Sequence, residues 1–232
     1  MKPLIIAHRG CSSLAPENTV ESVKLALDCN ADGIEIDVRL TADKQIVVTH
    51  DTCTDRISTE NLEVPTTTYA DLHELDIGSW KGSEWSGCRM ALLETIFNLM
   101  PDDKQLLLEI KCGDEIIEPL KKLAQIFPAK LIIISFDYEL LLKIKKQFVE
   151  IPVMWIVEKM DKTVLEKFAL SDFDGLDFNI DVNTLDEMKD IAAGLKKESK
   201  IIYTWTMNDA QRLDELSFLD GITTDYPQDF NL

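Results

Sequence analysis

Leu4-Ile-Ile-Ala-His-Arg-Gly10, followed by Ala15-Pro-Glu-Asn-Thr19, sets the pattern that the rest of the chain repeats. Four apolar residues read as a short buried strand that empties onto His8, Arg9 and Gly10. An imidazole able to move protons and a guanidinium shaped for phosphate stand side by side where the backbone turns. Asn18, with Glu21 three positions on, predicts a capping box and a helix presenting Val20, Val23 and Leu27 on one face. Gly33-Ile-Glu-Ile-Asp-Val-Arg39 reads as a second strand. Its alternation puts Glu35 and Asp37 on one face and Ile34, Ile36 and Val38 on the other. Residues 45–49 form a further short strand, a continuation or partner of the second, ending in His50-Asp51.

From residue 52 to about 89 the periodicity fades, in a stretch holding Pro65, Gly78, Trp80, Gly82, Trp85 and Gly87. It is too long for an ordinary strand-to-helix loop and reads as an insertion over one end of the fold. A helix is expected over 92–100, before Pro101. Beyond it, strands at 104–111, 131–135, 153–157, 175–179, 200–204 and 221–224 alternate with helices at 114–127, 138–148, 162–170, 184–196 and 209–216. Such alternation implies a parallel α/β sheet, and eight strand–helix units imply a closed (β/α)8 TIM barrel. Residues 1–232 are read as a single barrel domain with its insertion after the second strand. The competing arrangement is an open doubly wound sheet, but no Gly-rich dinucleotide fingerprint follows any strand.

The 232 residues are 45% hydrophobic and 28% charged, ordinary for a globular protein. A formal charge of −18 argues against nucleic-acid or anionic-membrane partners. An anionic substrate would therefore need a locally positive site. The five cysteines are scattered, with no zinc or redox spacing, so free thiols in a reducing compartment are expected. The chain opens without a signal-like segment and holds no apolar run long enough to span a bilayer, which reads as cytoplasmic and without a membrane anchor. Oligomeric state has no signature in the sequence.

In a (β/α)8 barrel, chemistry sits at the C-terminal ends of the strands. His8, Arg9, Glu35, Asp37, His50, Glu109, Lys111 and Trp205 all fall there. Glu35 and Asp37 share a face, and Glu109 and Lys111 repeat that spacing on the next barrel strand. Converging carboxylates repel by roughly 4 kcal/mol per close pair at an intermediate dielectric. Either their pKa values rise or a cation joins them, and three hard oxygen donors suit Mg²⁺ or Ca²⁺. Surface carboxylates paired with Arg39 and Lys111 are the blander alternative. His8 and His50 suggest an acid and a base on opposite sides of one bond. Arg9 and Lys111 supply positive charge for an anion. Together these residues imply a metal-assisted hydrolase of phosphate esters, with diesters favoured because no nucleophilic Ser or Cys motif is present.

The pattern resembles the glycerophosphodiester phosphodiesterase family. The matching segments are His8-Arg-Gly10 with Pro16-Glu-Asn-Thr19, Glu35-Ile-Asp37, His50-Asp51, Glu109-Ile-Lys111, Ser135-Phe-Asp137, Thr204-Trp-Thr206 with Asn208, and Asp220-Gly-Ile-Thr-Thr-Asp-Tyr-Pro227. The resemblance implies a barrel hydrolysing a glycerophosphodiester to glycerol 3-phosphate and an alcohol with one bound divalent cation. It makes His8 and His50 the catalytic pair (His8 as base, His50 as acid), Glu35, Asp37 and Glu109 the metal ligands, and Arg9 and Lys111 the phosphate contacts. Trp205 and Phe136 would line the pocket of the organic portion, although a rim Trp and a core Phe look the same. Glu17 would support the first strand's polar end. Arg89-Met-Ala-Leu-Leu-Glu94 departs from the family's usual Pro-Thr before Leu-Glu. Two alternatives stay open: a related barrel lyase or phospholipase acting on a lipid diester, and a non-catalytic barrel that binds phosphate ligands.

Overall fold

A computed structural model describes residues 2–125 and 130–230. Its elements run β1 (Leu4–His8), α1 (Val20–Asp28), β2 (Gly33–Leu40), β3 (Ile46–Val48), α2 (Tyr69–His73), α3 (Leu93–Phe97), β4 (Gln105–Ile110) and α4 (Ile117–Ala124). They continue with β5 (Lys130–Ser135), α5 (Tyr138–Gln147), β6 (Val153–Val157), α6 (Lys162–Ala169), β7 (Gly175–Asn179), α7 (Leu185–Lys197), β8 (Ile201–Trp205) and β9 (Gly221–Thr224). The sheet order is β1-β9-β8-β7-β6-β5-β4-β2-β3, and β1 also pairs with β2. All pairs except β2–β3 are parallel, so eight strands close into a (β/α)8 barrel.

β2 is the longest strand because it has two tasks. Its first residues pair with β1 and close the barrel, while Val38–Leu40 pair antiparallel with β3. Residues 45–49 are therefore a hairpin partner of the second strand. The lumen is packed by Ile6, Leu107, Ile132, Ile134, Met154, Ile156 and Tyr203. Residues of opposite parity, such as Ile34, Ile36, Leu106 and Leu108, face the helices and form the larger outer core. No helix among the described residues is long and apolar enough to cross a membrane.

Several helix boundaries differ from the sequence reading, each for a local reason. α1 is capped by Thr19, which forms a capping box with Ser22, and not by Asn18 with Glu21. Asn18 instead adopts a left-handed conformation, φ 59°, and turns its amide toward β2. The helix expected over 92–100 shrinks to α3, because Leu99 and Met100 switch to i→i−3 bonds before Pro101. Residues 114–116 wind as a 3-10 turn before α4, and the expected helix end at Phe127 lies outside the described residues. Residues 210–216 are 3-10 throughout, started by the Asp209 carboxylate accepting from the Gln211 amide.

The insertion has a small apolar cluster of its own. Ile57, Val64, Leu72, Leu75, Ile77, Cys88 and Met90 pack on Val47 of β3. Asp76 organises its outer loop by accepting from the backbone amides of Gly78, Ser79 and Gly87 at 2.9–3.0 Å.

Candidate active site

Strand register explains why distant residues meet. His8 pairs with Glu35 across β1 and β2, and Asp37 pairs with Glu109 across β2 and β4. One strand thus delivers two carboxylates between a histidine and a third carboxylate. Glu35, Asp37 and Glu109 are 3%, 0% and 7% exposed, and one oxygen from each lies within 4.8 Å of the others. After β1, Arg9 and Gly10 both take positive φ, 55° and 80°, which turns the chain sharply over the barrel mouth. A Cβ on Gly10 would meet the Ser22 carbonyl carbon at 2.6 Å, so only glycine fits against α1 there.

That turn aims the Arg9 amide at Glu35 Oε2 (2.9 Å) and its guanidinium at Asp37 (3.2 Å) and Glu17 (2.8 Å). Asn18 clamps Asp37 by donating to Oδ2 at 2.8 Å and accepting the Asp37 amide at 3.0 Å. The Lys111 ammonium lies 2.6 Å from Glu109 and 3.5 Å from Asp37. Burial raises the Glu35 pKa well above the carboxylate range, and repulsion from Asp37 and Glu109 adds to it. Glu109 is pushed up to about 7 by burial and by Asp37, against the pull of Lys111. Burial acts on Asp37 too, but Arg9, Lys111 and His50 outweigh it and hold that carboxyl below its usual range.

The cluster fits a hard divalent cation. Glu35 Oε1 is buried without a hydrogen-bond partner, and Asp37 Oδ1 and Glu109 Oε1 have the Lys111 ammonium beside them but no aligned hydrogen bond. Three carboxylate oxygens, two of them on groups whose pKa is raised by burial and by neighbouring carboxylates, form a donor set for Mg²⁺ or Ca²⁺.

Each imidazole is held at Nδ1 by a carboxylate. His8 pairs with Asp225 at 2.7 Å, and His50 with Asp51 at 2.7 Å, which leaves Nε2 of each ring for a ligand. His8 Nε2 lies 3.9 Å from Glu35. Burial lowers the His50 pKa, and Asp37 and Asp51 only partly offset it.

His8, Arg9, Glu35, His50, Glu109, Lys111, Phe136 and Trp205 line one cavity of about 330 Å³. Asp37 lies buried behind the other carboxylates, and Glu17 sits to one side, shared by Arg9 and Arg56. Phe136 is 43% exposed and stands edge-on to Trp205, centroids 5.6 Å apart, so it is a wall of the cavity and not a core residue. A second cavity of about 370 Å³ shares His8 and Arg9 and extends past Ser12, Trp80 and Lys81. Of the two ion-pair partners considered from sequence, Lys111 does pair with Glu109 and Asp37, but both carboxylates are buried and not on the surface. Arg39 donates to the carbonyls of His50 and Lys111 at 2.8 and 2.6 Å, fastening the two loops to each other.

Sequence reasoning gave no role to Asp225, Asp51, Arg56 or Asp177, and read Asn18 only as a helix cap and Arg39 only as an ion-pair partner of the carboxylates. Asp51 and Asp225 were inside the matching segments, beside His50 and in the terminal run. The His8–Asp225 pairing spans 217 positions and exists only because β9 closes on β1.

Residues 8–229 match the model of the glycerophosphoryl diester phosphodiesterase family. The chain is 32% identical over 245 residues to a glycerophosphodiester phosphodiesterase of Caldanaerobacter subterraneus subsp. tengcongensis, covering 98% of this chain and 96% of that protein. Its structure resembles an Oleispira antarctica phosphodiesterase in complex with the product sn-glycerol-3-phosphate, with a TM-score of 0.90 and 29% identity over 99% of this chain and 95% of that one. A glycerophosphodiester phosphodiesterase of Thermotoga maritima shares the fold at a TM-score of 0.84 and 24% identity, covering 99% of this chain and 97% of that one.

Proposed function

The chain belongs to the glycerophosphoryl diester phosphodiesterase family, and on that premise we propose that it hydrolyses a glycerophosphodiester to glycerol 3-phosphate and an alcohol with one divalent cation and two imidazoles. The observation that carries this reading is the junction of three buried carboxylates with His8, His50, Arg9 and Lys111 on one cavity. Glu35, Asp37 and Glu109 would hold the cation, Mg²⁺ or Ca²⁺. When bound, it supplies a Lewis acid for the phosphoryl oxygens.

The chain's own residues then divide the remaining work. Arg9 and Lys111 face the cavity and balance the negative charge that builds on the phosphoryl oxygens in the transition state. His8 takes the proton of the attacking water, and Asp225 stabilises the imidazolium that forms. His50 gives a proton to the departing alcohol oxygen, its tautomer set by Asp51. Phe136 and Trp205, edge to face at the cavity wall, shield the reacting centre from bulk water. A small soluble substrate suits a cavity of this size, and the acidic surface is compatible with a cytoplasmic setting.

The test is release of glycerol 3-phosphate from glycerophosphocholine, with EDTA and then with Mg²⁺ or Ca²⁺ restored. Release abolished by chelation and recovered with one cation is the expected result. Chelator-insensitive release would remove the cation from the mechanism, and no release across several headgroups would remove the reaction.

A further inference from the structure

Beyond Arg9 and the carboxylate cluster, three more buried polar atoms in the cavity wall have no hydrogen-bond partner among the described residues: Asp177 Oδ1, Trp205 Nε1 and Thr223 Oγ1. They come from β7, β8 and β9, which are consecutive in the sheet, whereas the carboxylate cluster comes from β2 and β4. Asp177 and Thr223 are 2% and 1% exposed, yet both line the same cavity as His8 and Glu109. Asp177 stands beside Tyr203 in the strand register, and its lumen neighbours include Ile156 and other apolar side chains. Tyr203 donates its hydroxyl to Gln105 at 2.6 Å and not to Asp177.

Buried polar atoms without partners weaken a fold and are rare in native proteins. One would be a local defect, but three on adjoining strands around one cavity are the inner surface of a binding site. Their chemistry narrows the ligand. A carboxyl oxygen accepts, an indole N–H only donates, and a threonine hydroxyl does both. A phosphoryl group is claimed by the cationic Arg9 and Lys111, which line the same cavity from the β1 and β4 side. A quaternary ammonium offers the indole N–H nothing to bind. Neighbouring alcohol groups, each donor and acceptor at once, satisfy all three atoms.

We propose that Asp177, Trp205 and Thr223 form a hydroxyl-recognition subsite that holds the free diol at the glycerol end of the substrate. This deepens the phosphodiesterase reading and rests on it. Phosphoryl binding belongs to the β1, β2 and β4 side, and selection for glycerol belongs to the β7–β9 side. Asp177 and Thr223 are then specificity-determining residues.

The test compares sn-glycero-3-phosphocholine with 3-hydroxypropyl phosphocholine, which lacks the middle hydroxyl. The readout is the ratio of their kcat/KM values. The wild type is expected to favour the glycerol diester by roughly ten- to a hundredfold, the size of a buried hydrogen bond to a substrate hydroxyl. Asp177→Leu and Thr223→Val should bring that ratio toward one, and Asp177→Asn, which keeps a hydrogen-bonding group, should fall between. Asp177→Leu should also melt above the wild type, since it replaces an unpaired buried carboxyl with an apolar side chain, so loss of fold is separable from loss of selectivity. A second arm measures binding of glycerol 3-phosphate against propyl phosphate and needs no turnover. The proposal fails if the ratio and the binding preference are the same in wild type and variants, or if the variants lose both substrates equally. If the wild type cleaves neither diester but still prefers glycerol 3-phosphate through Asp177, the subsite stands and the hydrolytic reading falls.

Discussion

Arg56 grips Glu17 with both terminal nitrogens, at 2.9 and 2.7 Å. Its Nε reaches Asp51 at 2.6 Å, and Glu17 also receives Arg9. A continuous charged chain therefore runs His50–Asp51–Arg56–Glu17–Arg9–Asp37, joining the insertion to the carboxylate cluster. Single exposed ion pairs contribute little, but here each partner orients the next.

Arg56→Ala should consequently lower kcat/KM by roughly tenfold, the usual cost of losing a group that orients ligand-bearing residues. Arg56→Lys should recover only part of it, because an ammonium cannot make the two-armed contact with Glu17. The melting temperature should barely move, since Arg56 is substantially exposed. Steady-state kinetics beside a thermal melt checks this. Full activity in Arg56→Ala would show that the chain of charges is not needed to place Arg9 or His50.

Asp225 makes a second prediction, in which pH has a definite sign. Burial alone would raise its carboxyl, but His8, Asn208 and Ser12 outweigh burial and hold it down at about 2. A carboxyl depressed on folding stabilises the native state above its unfolded pKa of about 4, and that contribution fades as pH falls toward 2. The melting-temperature gap between wild type and Asp225→Asn should therefore be open at pH 5 and narrow steadily below pH 4. At neutral pH the variant should lose roughly 10²- to 10⁴-fold in kcat, because an amide does not stabilise an imidazolium and permits the wrong tautomer. A pH-independent gap would detach Asp225 from His8.

Cation binding makes a third. Glu109→Gln removes one charge from the crowded cluster, so the chelated variant should melt above chelated wild type. Added Mg²⁺ or Ca²⁺ should stabilise the wild type by about 2.7 kcal/mol at a hundred times its dissociation constant, and the variant much less at the same concentration. Thermal melts with EDTA and with a cation series give both numbers. Equal cation response in the two proteins would exclude Glu109 as a ligand.

The legible parts of this molecule were those written in local apolar runs. The barrel strands could be placed because most are short apolar runs followed by polar residues, and the i, i+2 spacing of Glu35 and Asp37 already put them on one face. Helix boundaries were less legible, because caps depend on backbone geometry that Asn18 and Thr19 share equally well in sequence. Asn18 resembles a cap residue, yet its amide is claimed by Asp37 of β2. Arg56 and Asp225 could not be found by spacing, since their partners are brought near only by the packed insertion and by barrel closure. Asp177 did carry a signal. An aspartate inside the run Gly175–Asn179 breaks the apolar rule for barrel strands as plainly as Glu109 does, but it stands alone there, without the paired spacing that drew attention to the others.

The insertion offers a last prediction, centred on Asp76. Its carboxylate accepts from the Ser79 hydroxyl at 2.7 Å and from three backbone amides, and these bonds hold it well below the usual range. Most of the loop it organises is exposed, so few apolar contacts would replace those bonds. Asp76→Ala should loosen residues 78–88 while leaving the barrel intact, seen as faster amide exchange and faster proteolytic nicking confined to that loop. Because the carboxyl is depressed on folding, its contribution to the wild-type loop should fade progressively as pH falls below about 4, the unfolded value, with the same loosening complete only once pH nears its much lower folded value. The loop carries Trp80 and Lys81, which border the second cavity, so glycerophosphodiester turnover in Asp76→Ala should fall chiefly through a higher KM. Loss of kcat with unchanged KM would instead tie this loop to the chemical step, and unchanged loop exchange would deny Asp76 its organising part.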